Sequence, residues 1–540
     1  MRWDVVGLVL GWTIRLIALP LLVVFAYSAY IVAEGPEYAA KTYLLPFLLA
    51  LMIGQSLVSL AKHSDASSRV RDREAFASVA LGWIPVVAVG ALPFWLGGMF
   101  YGPFEMMAGD ASIWNGQCVA SNGSAVACGL RGLLYSWFES MSGFTTTGAT
   151  VIDISTSPVC AAFTVADDCI GSQNSSLILW RSITQWVGGM GVIMLGLLIL
   201  SRVLGGGMSL ARAELTGPSL SRLGPSLQWT ARRLWLIYVV LTILEFGMLY
   251  FLGGMGLFDS VNYSLTTLPS GGFTTSDSGI MGFDSARVEV ILIVFMLLTC
   301  INFSLLHLML AGRTKEVLKD EELRTYILIL IVAWLAMSFN LYRFGTTEAD
   351  LAPLVALRQA LFQSISISST GYASADFASW PVFSQFVLLL LMIVGACAGS
   401  TGGGLKVMRI RIAFELAKRE VVKIIQPRKV VAIRFNQQVI EERKIWIVLG
   451  MLSSWMVLVT ASILTISFLE PDLELIDVFS ISISLLGNTG PALGAFGPTA
   501  TWAALSEPSM VIATMLMWLG RLELLTVLVL LHPRTWARSD

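Results

Sequence analysis

The sequence predicts an all-α integral membrane protein in which four pseudo-fourfold helix–pore loop–helix repeats surround a central pore, behind two extra N-terminal helices. Composition is the first observation: of 540 residues, 56% are hydrophobic and 13% are charged, and the mean hydropathy is +0.75. A soluble chain carries about 25% charged residues. The second observation is a set of four short glycine-containing loops, each preceded by a short amphipathic segment. The third is that all four loops are predicted to lie on the same side of the membrane.

The four loops share one design, in which small hydroxyl or amide residues precede a glycine, and an apolar residue or proline follows it. Glycine reaches backbone angles that are closed to other residues, so a turn there can direct its carbonyl oxygens inward. Four such turns around one axis would form a ring of carbonyls, which can replace the hydration shell of a cation. The residues predicted to coordinate the cation are Thr146, Thr147, Gly148, Ser270, Gly271, Gly272, Ser369, Thr370, Gly371, Asn488, Thr489 and Gly490.

A short helix is expected to end at each loop. The segment before the first loop, 132–143, is apolar but too short to cross a bilayer, which is typical of a re-entrant helix. The carbonyl end of a helix carries roughly half a negative charge. Four such ends directed at the membrane midplane favour a cation there, so the predicted site needs no buried carboxylate.

The charges of the connecting segments predict the topology. Residues 61–74 hold four Lys or Arg, and residues 405–444 hold eleven against four Glu, so both segments are expected in the cytoplasm. Residues 101–177 contain one basic residue, Arg131, and are expected outside. Both termini are then cytoplasmic, and there are ten crossings. The predicted crossings are 5–32, 43–60, 75–100, 177–203, 234–257, 288–311, 326–343, a broken one that begins near 383, 445–469 and 510–532.

The spacing of the loops predicts an internal repeat. The four loop glycines are separated by 124, 99 and 119 residues, which is too long for a solenoid and suits a unit of two membrane helices plus loops. A single chain can therefore close the pore. The expected units are an N-terminal helix pair at 1–65 and pore repeats at 66–205, 206–315, 316–430 and 431–540.

Further motifs accompany the loops: Leu179-Trp180-Arg181-Ser182, 301–307, the glycine-rich segment 395–404, and 519–523. Together with the loops they resemble the Trk/Ktr/HKT superfamily of potassium transporters, over about residues 5–533. In that family the loops form a selectivity filter, where glycine in each loop goes with preference for potassium and serine in the first goes with sodium. The resemblance implies potassium uptake across the inner membrane through a gated, selective pore.

The glycine-rich break beneath the third loop is the predicted gate. Irregular backbone at membrane depth is tolerated only where protein or a water-filled cavity satisfies it, and the resemblance makes this segment an intramembrane gate. Arg521 is a charge inside the membrane; it either adjoins the gate, as the resemblance implies, or forms a structural ion pair, for example with Glu523. The predicted gate residues are Gly395, Gly399, Ser400, Thr401, Gly402, Gly403, Gly404 and Arg521.

The resemblance also implies partners: membrane lipid, a second copy of the chain in a homodimer, and a cytosolic nucleotide-binding regulatory subunit. No nucleic-acid partner is expected. The basic segments at 202–233, 313–324 and 405–444 are candidate docking surfaces, although such runs are usually solvated inner loops. A symporter coupled to protons or sodium is the alternative function, because broken helices suit alternating access. An enzyme is not expected, since the crossings hold no nucleophile–base pair and no paired carboxylates.

Two sets of external residues complete the predictions. Asp153, Asp277 and Asp376 each lie five residues after a filter glycine, and they either cap the turn that leaves the loop or form an incomplete acidic ring at the outer mouth. Four external cysteines could form two disulfides, and three pairings are possible. The preferred pairing is local, Cys118 with Cys128 and Cys160 with Cys169.

Overall fold

A computed structural model describes residues 2–32, 34–61, 72–103, 125–161, 164, 167–191, 227–346, 352–522 and 532–536. Over these residues the chain is mainly helical, with one two-stranded hairpin, which confirms the predicted class. Most of the buried apolar side chains form one contiguous core. The N-terminal elements are α1 Trp3–Ala26, a π-helical turn Tyr27–Ile31, α2 Pro36–Ala39, a π-helical turn Ala40–Leu44 and α3 Leu45–Ala61.

The four predicted repeats follow in order. The first contains α4 Asp72–Leu96, α5 Ala125–Phe144 and α6 Ser175–Gly189; the second contains α7 Leu227–Met248 with a π-helical turn Leu249–Gly253, α8 Leu257–Thr267, a 3-10 turn Gly279–Phe283, α9 Ala286–Cys300, α10 Phe303–Leu310 and α11 Thr314–Val317. The third contains α12 Glu321–Phe344, α13 Pro353–Ile367, a 3-10 turn Phe377–Ser379, α14 Val382–Val394 and α15 Val407–Ile425. After strands β1 Arg434–Phe435 and β2 Gln438–Val439, the fourth contains α16 Glu442–Leu469, α17 Leu475–Gly487, 3-10 turns Gly494–Phe496 and Trp502–Ala504, α18 Glu507–Arg521 and α19 Pro533–Trp536.

The extra N-terminal helices pack against the first repeat. Helix α1 contacts α3 and α4. A Cβ atom on Gly11 would lie 2.7 Å from the carbonyl oxygen of Gly54, so the two helices cross at glycine. Small residues let membrane helices approach this closely, which is how helices associate without a hydrophobic driving force in lipid.

Long apolar helices match the predicted crossings at which each repeat begins. Among the described residues, six helices are long and apolar enough to span a membrane. Their ends differ from the predicted ones by several residues, and the helix of the first pore loop, α5, is longer than the predicted 132–143 because it begins at Ala125. The six are Trp3–Ile31, Pro36–Ala61, Phe76–Leu96, Ala231–Gly253, Glu321–Phe344 and Glu442–Leu469.

The second helix of each repeat ends early. Helices α6, α9, α14 and α18 have 13 to 15 residues, fewer than the roughly 20 that a crossing needs. The sequence predicted such a break in the third repeat alone. The predicted crossing 288–311 is not a continuous helix, because α9 and α10 meet at a bend of 108°. The predicted crossings 177–203 and 510–532 continue into residues outside those described.

The bend between α9 and α10 is stabilised by hydrogen bonds to the glycine-rich segment. The amide of Phe303 donates to the carbonyl of Gly399, and the amide of Cys397 donates to the carbonyl of Cys300. The side chain of Asn302 caps α10. Backbone groups freed at the bend are therefore bonded to the glycine-rich segment, as irregular backbone in a membrane requires.

A small hairpin lies on the side away from the filter. Strands β1 and β2 pair antiparallel, and the turn residues Asn436 and Gln437 both have positive φ, as a type I′ turn requires. The Asn436 side chain donates to Asp320 at 2.7 Å, which attaches the hairpin to the start of α12. The predicted unit boundaries at 65 and 205 lie outside the described residues, and the boundary at 315 falls within α11.

Candidate ion-conduction site

The four glycine loops meet in a closed ring. A Cβ atom added to Gly148 would overlap the carbonyl oxygen of Gly271, the residue before the second loop's glycine. In the same way, a Cβ atom on Gly272 would overlap the carbonyl oxygen of Thr370. One on Gly371 would overlap that of Thr489, and one on Gly490 would overlap that of Thr147. Each loop therefore contacts the next, in the order of the chain, and the fourth contacts the first. The predicted filter residues are brought together around one axis.

Only glycine fits these positions, for two reasons. The four glycines have φ of 84°, 82°, 87° and 104°, a region that L side chains rarely adopt. The neighbouring carbonyls leave no room for a side chain. The absence of a side chain is what lets the carbonyls of adjacent loops approach the axis together.

The first, second and fourth loops share one backbone path. In each, the amide of the residue before the glycine donates to the carbonyl six residues before the glycine, at 2.9 Å for Thr147, 2.9 Å for Gly271 and 3.0 Å for Thr489. The residue two before the glycine has positive φ in each of these loops. The helices α5, α8 and α17 thus direct their carbonyl ends at the ring, which favours a cation there.

The third loop follows a different path beneath the same ring. The amides of Thr370 and Gly371 both donate to the carbonyl of Ser366, each at 2.8 Å, and Ser369 does not adopt the positive φ of its counterparts. The hydroxyl of Ser368 instead bonds that of Tyr326 at 2.8 Å.

A cavity of about 410 Å³ opens on one side of the ring, and all four filter glycines line it. Asp153 and Asp277 also line this outer cavity, whereas Asp376 is not among its lining residues. Each aspartate accepts hydrogen bonds: Asp153 from Thr501 at 2.7 Å, Asp277 from the amides of Cys169 and Ile170, and Asp376 from the amide of Ala378. Burial raises the pKa of the Asp277 carboxyl. Asp376 therefore caps its own turn, and Asp153 also accepts from the nearby amide of Ser155. Asp277 bonds a segment of the first repeat instead, and Asp153 and Asp277 both face the cavity.

The glycine-rich segment lies directly below the ring on the other side. The hydroxyl of Thr401 bonds that of Ser270 at 2.9 Å and donates to the carbonyl of Leu268 at 3.0 Å. The amide of Gly404 donates to the carbonyl of Gly487 at 2.9 Å. The segment thus contacts the second and fourth loops from beneath. We call residues 395–406 the gate segment.

Arg521 connects this segment to the other repeats. Its guanidinium donates to the hydroxyl of Thr146 at 2.9 Å and to the carbonyl of Thr401 at 3.2 Å. It also donates to the carbonyls of Gly188 and Gly189. Arg521, in the fourth repeat, therefore bonds oxygen atoms of both the first and the third repeats. Glu523, the alternative partner, lies outside the described residues.

A second, smaller cavity of about 110 Å³, which we call the inner cavity, lies on the opposite side of the ring. Its lining includes Arg521 and much of the gate segment, with Gly399, Ser400, Thr401, Gly402, Gly403, Gly404 and Lys406. Gly395 is not among the lining residues; a Cβ atom there would overlap the carbonyl of Gly403, so it allows the segment to fold back on itself. The gate segment and Arg521 thus lie between the filter ring and the inner cavity.

A buried ion pair beside the filter was missed by the sequence prediction. Arg181 of α6 donates to Glu139 of α5 at 2.5 Å, and neither side chain is more than 2% exposed. Glu139 also accepts from the amide of Val151, while Arg181 donates to the carbonyl of Thr274 at 2.8 Å and lies 3.6 Å from the ring centre of Phe273. The pair joins the chain leaving the first loop to the chain leaving the second. Arg181 belongs to one of the motifs singled out in the sequence, but no local pattern indicated that Glu139 faces it.

The cysteines agree with the local pairing where they can be compared. Cys160 and Cys169 form a disulfide, as predicted. Cys128 is disulfide-bonded as well, and Cys118 lies outside the described residues. Cys300 and Cys397 are free and buried. Within the described ranges, no group of three His, Cys, Asp or Glu side chains is placed to hold a metal ion.

Known proteins resemble this chain over nearly its whole length. The sequence profile of the TrkH family, described as a cation transport protein, matches residues 131–536. The Trk system potassium uptake protein TrkH of Escherichia coli K12 is 32% identical over 536 residues, covering 95% of this chain and 97% of that protein. The Trk system potassium uptake protein TrkG of the same organism is 27% identical, covering 98% of this chain and 96% of that protein.

A solved structure has the same fold. The crystal structure of the potassium transporter TrkH from Vibrio parahaemolyticus matches with a TM-score of 0.77 at 27% identity, covering 99% of this chain and all of that one. The likeness therefore extends beyond the profile to the N-terminal helices. With a ring of filter glycines and relatives that match from end to end, this chain belongs to the TrkH family of cation transport proteins, which are transporters and not enzymes.

Proposed function

We propose that this chain takes up potassium across the inner membrane, as the pore subunit of a gated, potassium-selective pathway. The observation that carries the proposal is the closed ring, in which each filter glycine lies against a carbonyl of the next loop. A ring of carbonyl oxygens replaces the water around a permeating cation. The relatives reported above are named potassium uptake proteins, which supports potassium as the transported ion.

The filter is proposed to coordinate potassium through backbone oxygens of residues 146–148, 270–272, 369–371 and 488–490. Four pore helices end at these loops, and their carbonyl ends add negative potential where the ion loses its water. No carboxylate is then needed in the filter itself. The acidic residues at the outer mouth have a secondary role, either as caps or as a source of cation attraction.

The gate segment and Arg521 are proposed to obstruct the pathway below the filter. They lie between the filter ring and the inner cavity, and their contacts involve the first, second and fourth loops. Opening then requires the segment to move, which breaks a defined set of hydrogen bonds. Regulation by a cytosolic nucleotide-binding subunit would act on this movement, through the inner basic segments 313–324 or 405–444; most of the third candidate segment, 202–233, lies outside the described residues.

The assembly and orientation are proposed on the same basis. The chain is proposed to lie in the inner membrane with both termini in the cytoplasm, because basic connecting segments are retained on the cytoplasmic side. A homodimer of pore chains is proposed, each copy with its own filter. The Trk system naming of the relatives supports a system of several components.

The test of the filter is the Gly148→Ser variant. Serine at this position must adopt an unfavourable φ and displace the neighbouring carbonyl, so the ring widens or distorts. We expect the potassium-to-sodium permeability ratio of reconstituted protein to fall. A ratio equal to that of the parent would contradict the assignment of the first loop to the filter.

Coupled transport remains the second candidate, because the short second helices of all four repeats resemble the broken helices of secondary transporters. Reversal potentials in liposomes distinguish the two functions. An uncoupled pore follows the potassium gradient alone. A symporter shifts its reversal potential when a proton or sodium gradient is imposed at constant potassium.

A further inference from the structure

Glu322 is a buried carboxylate that the filter and the gate proposed above do not use. It lies in the first turn of α12 and is 5% exposed. Its Oε1 atom accepts hydrogen bonds from the amide of Ala398 at 2.7 Å and from the amide of Met408 at 3.1 Å. These amides lie near the two ends of the gate segment. One carboxylate oxygen therefore joins the chain entering the segment to the chain leaving it.

Two local features stabilise the charged form of this carboxylate against the cost of its burial. The amide of Met408 belongs to the first turn of α15, which begins at Val407, and the amino end of a helix attracts an anion. Hydrogen bonds from amides to an ionised carboxylate are roughly twice as strong as neutral ones. Both contacts therefore weaken when the carboxylate loses its charge.

The same face of α12 also reaches the filter. Tyr326 lies four residues after Glu322, which places the two side chains on one face of the helix. Its hydroxyl bonds that of Ser368, at the base of the third filter loop, at 2.8 Å. The start of α12 thus contacts both the gate segment and the loop whose path differs from the other three.

We propose that Glu322 is a positioning residue that holds the gate segment closed while its carboxylate is charged, and that a proton taken up from the inner side releases the segment. The inference rests on the proposed function, because it requires the segment to be a gate. The titratable and charged groups that face Glu322 are Asp320 on its own helix and Cys397 and Lys406 of the gate segment, and Arg411 of α15 is engaged by the neighbouring Glu321.

The direction of the pH effect follows from the contacts. At higher inner pH the carboxylate is charged and accepts both amides, so the segment stays in place. At lower inner pH the protonated group is a weaker acceptor, and potassium flux rises. The effect depends on the pH of the gate side of the membrane and not on that of the outer cavity.

The test uses Glu322→Gln, Glu322→Asp and a control, Glu316→Gln, in full-length protein reconstituted in liposomes. Glu316 is an exposed carboxylate that pairs with Arg313 on the same side. Potassium flux is measured while the inner pH is varied across neutrality, from about 6 to about 8. The potassium-to-sodium ratio is measured in parallel, to report whether the filter is intact.

We expect Glu322→Gln to raise basal flux about fivefold to tenfold at neutral pH, since weakening two charge-assisted bonds shifts a two-state equilibrium by this order. Its flux should no longer depend on inner pH, and its ion selectivity should equal that of the parent. Glu322→Asp should raise basal flux while retaining a pH dependence, because the shorter side chain reaches both amides poorly but still titrates. Glu316→Gln should behave like the parent.

Parent-like basal flux, or a parent-like pH profile, in Glu322→Gln would overturn the proposal. If that variant is not recovered in membranes, parent-like flux in Glu322→Asp overturns it instead. A variant lacking residues 402–404 separates this outcome from failure of the gate. If the deletion raises flux and Glu322→Gln does not, the segment is a gate but Glu322 does not hold it. If the deletion leaves flux unchanged, the segment is not a gate.

Discussion

Three filter loops share one backbone path, whereas the third loop reaches the same ring by another. The first, second and fourth loops turn through a residue with positive φ two positions before the glycine, as at Ser270. In the third loop three successive amides, from Ser369 to Gly371, donate to the carbonyl of Ser366 instead. The glycine of the third loop nevertheless has the same φ and the same contact with the next loop as the others.

The comparison separates two constraints on a pore loop. Closure of the ring sets the position of the glycine, because each glycine must fit against a carbonyl of its neighbour. The path below the ring is set by what lies beneath it. Beneath the third loop lie Tyr326 of α12 and Thr299 of α9, whose hydroxyls bond those of Ser368 and Ser369.

The largest expected effect tests whether the third loop requires its glycine as strictly as the second loop does. Gly371→Ala and Gly272→Ala should each reduce potassium flux by about tenfold or more, because a strained backbone alone costs roughly 1–3 kcal/mol and the added Cβ displaces a filter carbonyl. Flux and selectivity in liposomes provide the measurement. Gly247→Ala, where nothing lies within 4 Å, is the control. If Gly371→Ala keeps parent-like flux while Gly272→Ala does not, the different path of the third loop also lets the ring accept a side chain there.

The next effect concerns the contact between the gate segment and the fourth loop. A Cβ atom on Gly403 would overlap the carbonyl oxygen of Gly487. Gly403→Ala should therefore displace the segment and raise basal flux by about fivefold, the response of a gate whose closed state loses about 1 kcal/mol. Gly450→Ala serves as the control, since nothing lies within 4 Å of that position. Basal flux equal to that of the control would show that the position of this segment does not limit flux.

A smaller increase is expected when Arg521 is replaced. Arg521→Ala removes the contacts to Thr146, Thr401 and Gly188 together, and it should raise basal flux by about threefold to fivefold if these bonds favour the closed state. Arg521→Lys should give an intermediate value, because an ammonium group lacks the planar fork that reaches several oxygens at once. Equal flux in Arg521→Lys and Arg521→Ala would show that the fork itself is what the closed state requires. Parent-like flux in both would remove Arg521 from the gate.

The smallest effect extends the comparison to the outer mouth. Asp153 and Asp277 line the outer cavity, whereas Asp376 caps a 3-10 turn away from it. Replacing both cavity aspartates by Asn should lower flux by about twofold at low potassium and low salt, and the loss should vanish near 1 M salt, where charges are screened within about 3 Å. Asp376→Asn should leave flux unchanged at every salt concentration. Salt-independent, near-normal flux in the double variant would mean that these two aspartates act through their hydrogen bonds and not through their charge.

Much of this protein follows from its sequence alone. Composition and apolar length predicted an all-α membrane protein, because a bilayer admits only helices or closed barrels. The glycine loops predicted the ring, since glycine alone adopts the required backbone angles and leaves room for the neighbouring carbonyl. The regular position of Gly148, Gly272, Gly371 and Gly490 in the chain was enough to predict four units around one axis.

Tertiary structure decided what lies beside and below that ring. The pairing of Glu139 with Arg181, the bend after Cys300 and the two amides held by Glu322 each join residues that are far apart in the chain. Local sequence carries no record of such contacts, because the partner that satisfies a freed backbone group or a buried charge is chosen by packing. The glycines alone could therefore predict where the four loops meet, while the contacts that hold the gate segment and the third loop became visible only once the repeats were assembled.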